Sequence, residues 1–458
     1  MQVPVIVSHL RSAIQSPAGG SEVRSMYIFK AIAPHLQNAK YLNLCADKKL
    51  HSIYVDETLS QVGVPIKRFN VHSFNFMSRD NVEEVMRVLK TLLRTDHKKV
   101  MIICCDPISL SIFLRAKKLL NNYYDIKVLW SSGGNELTCP LHTEVCPFTN
   151  SYTNTYGHQV LPSSFFFKCL PHIVKTRRVS MYHIGLWPLL RREIVKNVDG
   201  LLATRSVYIE GCKLLGLERC HYIGFGIDTK KFTPRDRVKV VGHLLDDKSI
   251  VADKLIWGDF DRFTNELLNG DIIVLSFVGA ARPWWKNVEL IVVVFNHIAK
   301  IFSNVFLLVV GRHMNSLMPL LSRLPRKVRE KIVIIDQVPH THVHLFYNLG
   351  DIFINPSLLD SLEINTLEAL ASGNIVLVSN RGCINDLKYM GIRILKVFEP
   401  TPRSLLNTLI PILKNIDSHK DEITKELEYV RQKLSLETYG ERIIRALKVY
   451  NYRGKYMR

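Results

Sequence analysis

Short apolar runs alternate with amphipathic stretches along this chain. Residues 3–7, 41–45, 100–104 and 127–130 are apolar runs of four or five, too short for core helices and of strand length. Between them, residues 21–33, 82–95 and 110–121 place apolar side chains at helical spacing. Strands that alternate with helices predict an α/β chain, with a parallel sheet and crossover helices. Residues 199–206 read as the last strand of this first half. The pattern resumes with apolar runs at 272–277, 305–310, 332–335, 352–354 and 375–378. The apolar window 290–310 is broken by Asn296, His297, Lys300 and Asn304, so it reads as a helix and then a strand, not as a membrane span. Residues 436–450 are amphipathic and aromatic, a last helix. In such a fold, ligand-handling loops follow the carboxyl ends of the strands.

The stretch 355–373 concentrates the candidate chemistry. Pro356 and Ser357 end the apolar run before it. A helix is predicted over 366–372, with Gly373 as its cap. Asp360 lies in the loop and Glu368 near the helix start, eight positions apart. A helix start offers unpaired N–H groups and partial positive charge, a seat for a diphosphate. A carboxylate on that turn can grasp a ribose diol, and one on the preceding loop can grasp hydroxyls beyond the diphosphate. A sugar nucleotide has this layout. Asn365 and Thr366 can offer N–H or hydroxyl donors to phosphate. The loop after 272–277 carries Arg282 and Lys286, two cations four apart, which can neutralise a diphosphate and its charge on departure. Near the N-terminus, Gly19 and Gly20 precede a helix and let backbone approach a ligand closely.

These segments resemble the E-x7-E region of retaining glycosyltransferases with the GT-B fold, especially glycosyltransferase family 4. The likeness rests on Pro356, Ser357, Leu367, Glu368, Ala369, Leu370, Ala371, Gly373 and Val376. The family's linker pattern is similar to Gly226, Ile227, Asp228, Phe232 and Pro234 here, and its cationic loop to Arg282 and Lys286. Two positions depart: Asp360 stands where the family has its first Glu, and Glu363 where it has a loop Gly. The family's sugar-holding His has no clear counterpart; Glu136 and His142 are the candidates in that region, each with an ordinary loop role as the alternative. The resemblance implies two Rossmann-like domains facing a cleft: an acceptor domain over 1–230, a nucleotide-sugar domain over 235–435, and a last helix, 436–458, that packs back on the first. It implies transfer of a sugar from a nucleotide-diphosphate sugar to a lipid-linked or other glycan, with retained configuration, no cofactor and no metal. Arg282 and Lys286 would stabilise the leaving group, Glu368 would hold ribose and Asp360 would orient the sugar. Two alternatives stand beside this: a non-catalytic GT-B binding protein, and a synthase with a soluble acceptor of the sucrose or trehalose kind.

Composition narrows the partners. The 458 residues carry a formal charge of +20, with +12 of it in residues 1–230, so basicity is general and not confined to a tail. No nucleic-acid module is recognisable, and attraction to phosphorylated substrates or anionic headgroups accounts for the charge. Basic and aromatic residues around Arg177, Arg178, Trp187 and Arg191 suit peripheral contact with a membrane; a core helix with a solvated basic side suits them too. Nine scattered cysteines and an N-terminus without a basic leader point to reduced thiols and a cytoplasmic site, at the inner face of the membrane if lipid is the acceptor. Residues 137–180 are irregular and read as a substrate-covering insertion, and residues 235–270 as a polar excursion before the second domain. Within the latter, Asp259 and Asp261 mimic a metal-binding pair but read as surface acids.

Overall fold

The computed structural model describes residues 4–10, 20–36, 39–45, 52–56, 59–65, 79–92, 99–132, 197–206, 209, 212, 217, 219–270, 272–281, 286–358, 364–380 and 384–452. The chain forms two compact units. Unit 1 comprises Met1–Gly226 and Leu436–Arg458, and unit 2 is Ile227–Ser435.

Among the described residues, unit 1 holds an eight-stranded sheet. Its strands are β1 (Val5–Leu10), β2 (Ala39–Cys45), β3 (Ser52–Asp56), β4 (Leu59–Pro65), β5 (Lys99–Cys104), β6 (Asp125–Ser132), β7 (Gly200–Ala203) and β8 (Cys220–Tyr222). Their order is β3-β4-β2-β1-β5-β6-β7-β8, parallel except for β3, which runs against β4 at the edge. The helices are α1 (Gly20–Ile32), α2 (Arg79–Leu92) and α3 (Pro107–Leu120). The β3–β4 pair has no forerunner in the apolar pattern, and β8 lies beyond the strand expected to be last. The last helix, Leu436–Tyr452, buries Tyr439, Ile443 and Leu447 in this unit. It approaches α1 so closely that a Cβ on Gly440 would lie 2.2 Å from the carbonyl oxygen of Ala31. Glycine in a helix interior costs roughly 0.5–1 kcal/mol against alanine, and here that absence of a side chain permits the contact.

Unit 2 is built on a seven-stranded sheet with β10 (Ile273–Ala280) at its centre. The other strands are β9 (Leu255–Trp257), β11 (Val305–Arg312), β12 (Ile332–Asp336), β13 (Ile352–Asn355), β14 (Ile375–Ser379) and β15 (Lys396–Phe398). The order is β15-β14-β13-β10-β11-β12-β9, with only β9 antiparallel. The longer helices are α4 (Arg237–Asp246), α5 (Phe260–Leu268), α6 (Glu289–Ile301), α7 (Val343–Tyr347), α8 (Ile364–Ala371), α9 (Ile384–Tyr389), α10 (Pro402–Lys414) and α11 (Ile416–Leu434). Strands β11, β12, β13 and β14 are buried at almost every position, as parallel strands covered on both faces must be.

Residues 235–270 are not an excursion. They supply α4, the edge strand β9 and α5 to unit 2. Asp259 caps α5 by accepting the Arg262 N–H at 2.9 Å, which explains that acidic pair as a helix start. At the opposite end of β13 from the loops, Asp351 is 4% exposed. Its Oδ2 accepts the Val274 N–H at 2.9 Å, and its Oδ1 meets Arg237 and Lys420, each at 2.7 Å. One carboxylate thus joins α4 and α11 to the central strands.

Candidate functional site

Chain order in the unit 2 sheet reverses at β10. The chain runs outward through β11 and β12, then returns to lay β13 on the other side of β10. The connections after β10 and β13 therefore leave in opposite directions, and a crevice opens at their carboxyl ends. Two hydrogen bonds fix this point. Asn287, in the loop after β10, donates from Nδ2 to the carbonyl of Pro356 after β13 at 3.3 Å. Asn365, at the start of α8, donates from Nδ2 to the carbonyl of Val278 in β10 at 3.0 Å. No side chain fits at Gly279 without crowding: a Cβ there would sit 3.3 Å from Asn365 Nδ2.

Lys286 lies half-buried in the loop that follows the carboxyl end of β10. Glu368 lies on α8, which follows β13, and is 2% exposed. The two predicted residues thus belong to the same edge of one sheet. Arg282 and Asp360 lie outside the described residues, as do Glu363, Gly19, Glu136 and His142. Gly20 is the first residue of α1, in unit 1, after β1 and beside β5, where that sheet reverses in the same way.

The helix starts two residues earlier than its apolar pattern predicts, at Ile364. Glu368 is therefore the fifth helical residue and faces inward. Its Oε1 lies 2.9 Å from His340 Nε2, and its Oε2 accepts from the Tyr347 hydroxyl at 3.0 Å. His340 comes from the turn after β12, and Tyr347 ends α7. Burial, and then the Glu368 charge, raise the Tyr347 pKa well above the usual phenol value, so the hydroxyl remains a donor. The buried ring of Phe232 packs against both, 5.8 Å from each ring centre, and Lys231 Nζ donates to the His340 carbonyl at 2.9 Å. The linker pattern around Gly226 thereby props the carboxylate from behind.

Asn365 and Thr366 are largely committed within the protein. Asn365 Oδ1 accepts the Thr366 N–H at 3.0 Å, while its Nδ2 serves Val278. The Thr366 hydroxyl is fully buried and accepts from Asn355 Nδ2 at 2.9 Å. Asn355 Oδ1 in turn accepts from the Ser357 hydroxyl at 2.6 Å. Both side chains lock the α8 start to β10 and β13, and the Thr366 N–H is itself spent on Asn365 Oδ1.

Backbone conformation marks the same edge. Among the described residues, the non-glycine positions with positive φ are Asn287 (52°), His313 (62°) and Gln337 (60°). They follow β10, β11 and β12, respectively. Such conformations persist where surrounding structure over-determines them, often around functional sites. Neither His340 nor Tyr347 figured among the residues expected to act. Their only trace in the sequence is that His340 stands shortly after an apolar run, where a functional loop belongs.

No group of three or more His, Cys, Asp or Glu able to hold a metal occurs among the described residues. Nor, among them, is any helix long and apolar enough to cross a membrane.

Residues 273–415 match the family model Glycosyl transferases group 1. No curated protein sequence matches the chain. Among solved structures, it is similar to a sucrose-phosphate synthase from Thermosynechococcus elongatus, at 13% identity and TM-score 0.67, covering 99% of this chain and 100% of that one. It is also similar to HepE from Anabaena in complex with UDP and glucose, at 11% identity and TM-score 0.64, covering 98% and 100%. An α,α-trehalose 6-phosphate synthase from Burkholderia multivorans aligns at 11% identity and TM-score 0.64, covering 99% and 100%. The fold is GT-B, and it spans the whole chain.

Proposed function

We propose that this GT-B chain transfers a sugar from a nucleoside-diphosphate sugar to a glycan or lipid-linked acceptor, with the donor seated in unit 2. The observation that carries the proposal is the crevice at the β10–β13 reversal. It gathers a cationic loop, the start of a short helix and a buried, doubly hydrogen-bonded carboxylate. The match of residues 273–415 to a glycosyltransferase model and the UDP in the HepE complex support the same reading.

In this reading the donor diphosphate lies across the first turn of α8, with Lys286 beside it. Glu368 grasps the ribose diol, with its carboxylate oriented by His340 and Tyr347. As the bond from the anomeric carbon to the diphosphate oxygen breaks, negative charge gathers on the leaving group, where Lys286 and Arg282 lower its energy. The acceptor oxygen bonds the anomeric carbon on the face the diphosphate leaves, and the departing oxygen takes the acceptor's proton, so configuration is retained. Asp360 orients the sugar, and protein cations do the work that a metal would otherwise do. The acceptor belongs to unit 1, where Gly20 opens the helix that follows β1 at that sheet's own reversal. The reaction is cytoplasmic, at the membrane face if the acceptor is lipid-linked. A soluble sugar phosphate is the second acceptor reading, favoured by the synthases among the structural neighbours.

Release of labelled sugar from UDP-glucose and other nucleotide sugars, with and without candidate acceptors, tests the reaction. Lys286→Ala and Glu368→Ala should each lower the rate by about 100-fold or more with the fold retained by circular dichroism. Full activity in both variants rejects the site.

A further inference from the structure

Unit 2 carries a second concave site that the transfer reaction does not use. It is a cavity of about 400 Å³ between α4 and α7, lined by Arg235, Asp236, Lys239, Val240, His243 and His344, with Leu345 closing the floor. Lys239 and His243 are four apart on α4 and so share a face. Asp236 is the one acid in this lining. Its carboxylate is already occupied as the cap of α4, accepting the Lys239 N–H at 3.0 Å. Arg235 and Lys239 are exposed, with one Arg235 Nη donating to the Lys231 carbonyl at 3.3 Å, and Val240 and Leu345 are buried.

His344, on the wall opposite α4, and His342 beside it are both lowered in pKa, chiefly by burial and then by neighbouring cations. For His344 those cations are Lys231 and Arg235, and its pKa falls to about 4. For His342 the first of them is Lys254. Positive groups crowded this way favour an anion at their centre. The cavity is separate from the β10–β13 crevice. None of Lys286, Glu368, His340 and Tyr347 lines it, and the buried ring of Phe232 lies 6.4 Å from the His344 ring and 5.8 Å from the His340 ring.

We infer that this cavity binds a phosphomonoester, its phosphate held by Arg235 and Lys239 and its remainder lying on Val240 and Leu345. Its volume suits a small phosphorylated molecule more than a bare ion. The phosphate has two sources of the same chemistry, a soluble metabolite or a lipid headgroup reaching in from a membrane surface.

The test follows acetylation of Lys239 in the full chain by N-hydroxysuccinimidyl acetate, read by peptide mass spectrometry. Lys300, exposed on α6, is the internal control, and sodium chloride matches ionic strength. One arm adds glucose 6-phosphate. The other adds phosphatidylcholine vesicles containing phosphatidate. Near saturation, Lys239 should be acetylated about tenfold more slowly while Lys300 is unaffected. Arg235→Ala, at an exposed position, should abolish the protection. Protection by the soluble ester alone assigns a metabolite; protection by vesicles alone assigns a headgroup. No protection in either arm, equal protection at Lys300, or protection that survives Arg235→Ala overturns the site. Because the readout is local to Lys239, it does not depend on donor binding or turnover.

Discussion

Glu368 is a buried acid held at both oxygens: Oε1 meets His340 Nε2 and Oε2 accepts from the Tyr347 hydroxyl. Tyr347→Phe keeps the ring that packs on Phe232 and Phe353 and removes only the hydroxyl. It should cost about 1–2 kcal/mol in urea unfolding, because one oxygen of a buried carboxylate loses a partner. It should also weaken UDP binding in calorimetry by about tenfold, the equivalent of one hydrogen bond. Unchanged UDP affinity would limit Tyr347 to a structural role. The place of Glu368 near a helix start was legible in the sequence, from the helical pattern over 366–372 and its cap at Gly373. Its partners were not. His340 lies 28 positions away in sequence, and the contact follows from sheet order, which no local spacing reports.

At the scale of elements, period and punctuation carried most of the fold. Fully apolar runs became buried parallel strands, and Gly373, with φ of 86°, does follow α8 as its terminator. Helix α8 begins at Ile364, two residues before the predicted start, and takes in Asn365, whose side chain bonds the Val278 carbonyl of β10. Short edge elements escaped notice for a different reason. Strand β9 is apolar, Leu255–Trp257, but antiparallel at the rim and only three residues long, shorter than a run that reads as a strand. The tie at Asp351 is likewise invisible in one dimension, since its cations come from α4 and α11. Asp351→Ala leaves Arg237 and Lys420 unmatched and the Val274 N–H without its acceptor. Breaking a buried pair in this way costs about 3–5 kcal/mol, and half-exposed cations place this case near the lower end. Chemical denaturation of the variant should show that loss in unit 2. A change under 1 kcal/mol would mean that packing alone holds α4 and α11.

The molecule as a whole joins a continuous unit to a discontinuous one. Unit 2 is a single span, and its two ends lie side by side: the Ile227 N–H donates to the Leu434 carbonyl at 2.8 Å, and Ile227 bridges Ser435. A fragment of residues 227–435 should therefore fold alone, with cooperative thermal unfolding and dispersed amide signals. It should bind UDP if the donor site is complete within it. A molten fragment would show that unit 2 depends on unit 1. Unit 1 has no such independence. Its α1 face is covered by the last helix, which buries Tyr439, Ile443 and Leu447 and whose Arg442 donates to the carbonyls of Ile223 and Phe225.

That closing contact sets a timetable for biosynthesis. Residues 1–226 emerge from the ribosome first, yet the helix that covers α1 is translated only after all of unit 2. The half that is made second has every strand it needs as soon as Ser435 clears the exit tunnel. The half that is made first must wait, with the apolar side of α1 uncovered, until translation has delivered Tyr439 and Leu447. A nascent chain halted at Ser435 is accordingly the form most in need of a chaperone.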